Sequence, residues 1–102
     1  MMATETTGRL FPLGQVVATP GALEALEEAG VAVGTLVARH AAGDWGHLDP
    51  EDKGLNEQAL VSGARLFSVY RLSEEMTVWV ITNGDDEDGT RDATTLLLPS
   101  EY

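Results

Sequence analysis

Met76-Thr77-Val78-Trp79-Val80-Ile81-Thr82 is the stretch on which the fold turns. Nearly every position is β-branched or aromatic, which suits a pleated, half-buried surface. Alternation puts Thr77, Trp79 and Ile81 on one face and Met76, Val78 and Val80 on the other. Just upstream, Ser73-Glu74-Glu75 supplies a hairpin turn and Arg65 to Leu72 a partner strand. Downstream, Asn83 to Asp92 is a polar loop, and Ala93-Thr94-Thr95-Leu96-Leu97-Leu98 is a third strand ended by Pro99. The stretch from Arg65 to Leu98 reads as an antiparallel meander.

Before the meander the apolar spacing becomes helical. Thr19 at the N-cap, Pro20 at the first helical position and Gly30 just past the end bound a first helix. Its Leu23 and Leu26 lie opposite Glu24, Glu27 and Glu28. Two of those glutamates fall in the last turn, where the helix dipole disfavours negative charge by a few tenths of a kcal/mol. A second helix runs from about Ala32 to Ala42, with Val33, Leu36, Val37, His40 and Ala41 at i, i+3, i+4, i+7, i+8. Asp49 and Pro50 open a third, which reaches Ser62 and stops at Gly63. Trp45 sits in the short connector between helices two and three, a position where an aromatic plugs a core edge. Gly14 to Thr19 fits a short strand or an extended lead-in. Residues 1–9 read as a loose tail and 10–102 as one domain. The expected fold is α+β: about three N-terminal helices packed on a C-terminal three-stranded antiparallel β-meander.

Charge narrows the function classes. The chain has 102 residues, no cysteine, and seventeen acids against six Lys and Arg, for a net charge of −11. Such a surface is repelled by DNA, RNA and anionic lipid. The absence of cysteine excludes disulfides, thiolate metal sites and a cysteine nucleophile. No apolar run is long enough to cross a membrane, and the first residues carry no basic start and apolar stretch, so a cytoplasmic protein is expected.

Catalytic motifs are missing. There is no GxSxG elbow, P-loop, GxGxxG or HExxH, and no enzyme or cofactor is expected. His40, Asp44 and His47 are the one histidine–carboxylate cluster, and a turn bringing them together would make three metal ligands. The weightier reading keeps His40 in the apolar stripe near a helix C-terminus, where an imidazolium is favoured, and leaves His47 in solvent. The loop Asp85-Asp86-Glu87-Asp88-Gly89 fails the calcium-loop register, because Gly89 at position 6 puts Gly84 at position 1 and Thr95 at position 12.

Acid distribution is the remaining signal. Eleven of the seventeen acids fall in three patches: Glu24, Glu27 and Glu28; Asp49, Glu51 and Asp52; and Asp85, Asp86, Glu87, Asp88 and Asp92. If two patches share a side, the surface presents charge at near-phosphate density to a basic cleft.

Gly14-Gln15-Val16-Val17-Ala18-Thr19-Pro20-Gly21-Ala22-Leu23-Glu24-Ala25-Leu26 resembles a group of roughly hundred-residue bacterial proteins. The resemblance continues through Arg39-His40, Gly43-Asp44-Trp45-Gly46, Glu51-Asp52-Lys53, Asn56, Ala59-Leu60, Val78 to Thr82 and Ala93 to Pro99. The group is labelled plasmid-related protein, and sometimes subunit M of a type I restriction enzyme. No methyltransferase motif is present here, and 102 residues cannot hold that domain. The resemblance implies cargo of plasmids, integrative elements and phages. Together with the charge it leads to one expectation: a non-enzymatic inhibitor of a host nucleic-acid-binding defence complex, of anti-CRISPR or anti-restriction type, docking through the eleven acids. The alternative is a small regulatory or accessory module that docks through an apolar sheet face bearing Trp45, Trp79 and Tyr70. A homodimer is open to either, through an edge at strand 93–98 or 65–72.

Overall fold

The computed structural model describes residues 9–85 and 89–102. The chain runs β1 (Gln15–Ala18), α1 (Pro20–Ala29), α2 (Val33–Ala41), α3 (Pro50–Ser62), β2 (Leu66–Arg71), β3 (Thr77–Thr82) and β4 (Ala93–Leu97), then a 3-10 turn over Pro99–Glu101. The tail expected over residues 1–9 lies, apart from Arg9, outside the described residues.

Three antiparallel strands alone were expected, and this is corrected. The sheet has four strands in the order β1-β4-β3-β2 and is mixed. β2 pairs antiparallel with β3, and β3 with β4, but β1 pairs parallel with β4, Gln15 opposite Ala93 and Ala18 opposite Leu96. The helices therefore stand in the middle of the chain, between β1 and β2, not at its N-terminus. β1 is short, and three of its four residues are exposed, so it lacks the buried alternation that marks a strand. Its pairing partner lies nearly eighty residues away. Gly14 makes the approach possible: at φ 66° it lies so close to Arg91 and Asp92 that a Cβ would stand 2.2 Å from the Arg91 carbonyl oxygen.

The helix ends follow their capping chemistry. Thr19 Oγ1 accepts from the Ala22 amide at 3.1 Å, and Gly30 closes α1 in the left-handed region. Asp49 accepts from the Asp52 amide at 2.9 Å at the start of α3. Leu26 and Leu36 pack on Tyr70, Val78, Val80 and Leu96 beneath α1 and α2. Phe11, Trp45, Leu48 and Ala59 pack around Leu66 beside α3. Trp45 is buried, its indole N–H donating to Glu57 at 3.1 Å.

The sheet has two unlike ends. The β2–β3 hairpin, the end of β4 and the start of α1 lie at one. The loop after β3, Arg91 and the end of α3 lie at the other. Buried Arg91 pins this second end by donating to the carbonyls of Ala64 at 2.7 Å, Asn83 at 3.1 Å and Ala59 at 3.2 Å.

Candidate functional site

His40, Asp44 and His47 do not converge. His40 is fully buried, between Ser68 Oγ at 2.6 Å and Thr82 Oγ1 at 2.9 Å. Asp44 pairs with Arg39 at 2.7 Å, and that hydrogen bond holds its carboxyl below the usual range. His47 is exposed, its Nδ1 accepting from the Arg71 amide at 3.4 Å. The imidazolium expected at the end of α2 is also corrected. Burial first, and Arg91 second, push His40 down to about 4, because desolvation outweighs the favourable helix end.

The hydroxyls around His40 fix its tautomer. The Leu13 carbonyl can only accept, so Thr94 donates to it at 2.7 Å. Thr94 Oγ1 then accepts from Thr82 at 2.7 Å. With its proton committed, Thr82 accepts from His40 Nε2–H, and Ser68 donates to Nδ1. One directed chain crosses the sheet from β2 through β3 and β4 to the residue before Gly14. It fully uses both imidazole nitrogens and leaves His40 a structural part, with no lone pair for a metal.

The acids divide between the two ends of the sheet. Glu24, Glu27 and Glu28 are exposed on α1. Asp49, Glu51 and Asp52 open α3 beside His47 and Arg71, so they share the hairpin end with Glu24 and Glu28. Asp85 pairs with Arg91 as an isolated β-bridge against Gly63 at the other end, and Asp92 precedes β4 there. α3 is 13 residues long, which separates its two ends by about 20 Å. Asp86, Glu87 and Asp88 lie outside the described residues.

At the hairpin end the acids frame a cleft of about 460 Å³ between α1, the β2–β3 turn and the residues after β4. Ala25, Met76, Leu98 and Pro99 supply apolar lining, and Glu24, Glu28 and Glu75 line it with carboxylates. An apolar lining with carboxylates suits a side chain that is aliphatic along its stem and cationic at its tip. Among the described residues, Arg39–Asp44 is the only ion pair, so the carboxylates at the cleft have no cation partner there.

No family profile, curated protein or solved structure matches the chain. The likeness to plasmid-related proteins therefore stands on the quoted residues alone.

Glu75 is the cleft residue that sequence reading missed. It sits in a hairpin turn, where a charged residue is unremarkable, and only folding brings it across from Glu24 and Glu28. The aromatic docking face is corrected too. Tyr70 and Trp45 are buried on the helix-covered side, Tyr70 donating to the Asp44 carbonyl at 2.5 Å, and burial pushes its hydroxyl up to about 12. Trp79 alone lies on the opposite face, half-buried between Phe67 and Tyr102 at centroid distances of 5.0 and 5.5 Å. These rings and Leu55 line a second groove of about 360 Å³.

Proposed function

We propose that this chain is a non-enzymatic binding protein whose partner presents a basic, nucleic-acid-binding surface, and that it inhibits that partner by occupying the surface. A host defence complex of the anti-CRISPR or anti-restriction target type fits the mobile-element resemblance. The observation that carries the reading is the cleft at the hairpin end, where Glu24, Glu28 and Glu75 surround an apolar floor. An arginine or lysine buries its stem against Met76 and Leu98 there and meets carboxylates at its tip. Asp49, Glu51 and Asp52 extend the negative field on the other side of the hairpin. Asp85 and Asp92, at the far end, contribute to long-range steering and not to this contact.

The groove at Phe67, Trp79 and Tyr102 supports the docking-module alternative, since Leu55 beside it is 57% exposed. Its aromatic contribution is limited by the burial of Trp45 and Tyr70.

The test is competition with duplex DNA for a purified restriction enzyme or CRISPR effector. Inhibition is expected to weaken on the order of tenfold or more as salt rises from about 0.05 to 0.5 M. Charge reversal at Glu24, Glu28 and Glu75 is expected to weaken it further at low salt, with Asp85→Lys having the smaller effect. Inhibition indifferent to salt contradicts the reading.

A further inference from the structure

β1 and β2 are the two edges of the sheet, and their outward backbone groups have different fates. In the parallel ladder, Gln15 donates to the Asp92 carbonyl and Thr19 to the Leu96 carbonyl, each at 3.0 Å. By alternation, Gln15, Val17 and Thr19 direct their groups at β4, and Val16 and Ala18 direct theirs away. Among the described residues nothing bonds to those outward groups. None of the four residues of β1 is charged or proline, the usual protections of an edge. Val16 and Val17 are each 40% exposed.

We infer that β1 accepts an extended segment of a partner protein as a fifth strand, a segment carrying Lys or Arg on both flanks. Two outward N–H and C=O pairs, spaced two residues apart, specify an extended backbone as their complement. The flanks specify its charge. Asp92 stands exposed at the start of β1. Glu101 stands at its end, where it accepts from Thr19 Oγ1 at 2.6 Å and from the Leu98 amide at 2.8 Å. Those hydrogen bonds hold the Glu101 carboxyl below the usual range, and so ionised. β1 spans about 13 Å, so a short β-branched run with basic residues either side matches both carboxylates. A second copy is the poorer occupant. It brings another net charge of −11, and a four-residue edge supplies little of the roughly 1,000 Å² that a stable interface buries. The inference takes the basic character of the partner from the proposed function and adds where and how its backbone engages.

The probe is the synthetic peptide Lys-Lys-Thr-Val-Thr-Val-Lys-Lys, titrated into the full chain and followed by backbone amide resonances. The expected result is a shift of the Val16 and Ala18 amides and a slowing of their hydrogen exchange, abolished by Val16→Pro. That substitution removes an outward donor and leaves the β4 ladder whole. Binding that survives N-methylation of alternate peptide bonds overturns strand addition while leaving a basic partner standing. Binding that survives acetylation of every lysine overturns the basic flanks while leaving the edge standing. A free protein that sediments as a dimer, dissociated by Val16→Pro, assigns the edge to a second copy and overturns the inference. So does the absence of any shift at β1 at millimolar peptide.

Discussion

The two edges of one sheet are finished in opposite ways. Along β2, the outward amides and carbonyls of Phe67 and Val69 and the outward amide of Arg71 are engaged. Asn56, 4% exposed on α3, acts as a substitute strand: its Nδ2 donates to the Phe67 carbonyl at 2.6 Å and its Oδ1 accepts from the Phe67 amide at 3.2 Å. Two residues on, the connector takes over. The Val69 amide donates to the Trp45 carbonyl at 3.1 Å, and the His47 amide to the Val69 carbonyl at 2.7 Å. His47 Nδ1 then takes the Arg71 amide. Gly46 permits this contact, since a Cβ there would stand 2.0 Å from the Val69 oxygen. Along β1, Val16 and Ala18 meet none of this among the described residues. One edge is sealed by the helical excursion between β1 and β2, and the other is left as the place where chain can be added. An exposed edge invites uncontrolled pairing. Here its shortness and the surrounding negative charge confine it to a small class of partners.

The largest way to disturb the comparison is through the polar chain that joins the two edges, Ser68–His40–Thr82–Thr94–Leu13. His40 takes a proton near pH 6.5 in the unfolded chain but only near pH 4 when folded. Between those values the unfolded state binds more protons, so stability is full above pH 6.5 and falls as pH drops through the window. The loss reaches about 3 kcal/mol by pH 4, and this group adds none below it. Urea midpoints between pH 7 and 4, read beside the imidazole resonance, check this. An imidazole titrating near 6.5 in the folded protein removes the effect.

Next in size is Asn56→Ala, which strips the substitute strand from Phe67. It leaves a partly buried amide and carbonyl without partners, at a cost of about 2–3 kcal/mol, measured by urea unfolding. A cost near zero means that the edge was never sealed there. Val16→Pro is the smallest. Removing a donor that has no described partner changes stability by less than about 1 kcal/mol, whereas Val69→Pro breaks the bond to Trp45 and costs about 3. Equal costs at the two sites erase the asymmetry.

Much of this was legible in the residues, and the reason is locality. Thr19-Pro20 and Asp49-Pro50 start helices because a capping oxygen and its target amides lie within three residues. β3 declares itself because every residue from Thr77 to Thr82 is β-branched or aromatic, a signal carried along its own length. What sequence could not reveal depends on pairing at a distance. β1 is a strand only because β4 lies beside it, and nothing in Gln15-Val16-Val17-Ala18 alternates strongly enough to say so. Placing it changes the fold, from a meander with helices ahead of it to a mixed sheet with helices inserted. Asn56 reads as an ordinary polar helix residue until Phe67 is opposite. The candidate site divides similarly. Glu24 and Glu28 share a helix face by their spacing, whereas Glu75 joins them only through the hairpin. Asp85 and Asp92, grouped with them by charge, belong to the opposite end.

Amide hydrogen exchange on the free, full chain tests the unequal edges most directly. Exchange at Phe67 and Val69 should occur only through unfolding that opens the core, while Val16 and Ala18 should exchange orders of magnitude faster than Val17 between them. Protection of Val16 and Ala18 equal to that of Val17 would mean that the β1 edge is already covered, and would contradict an edge left open for a partner.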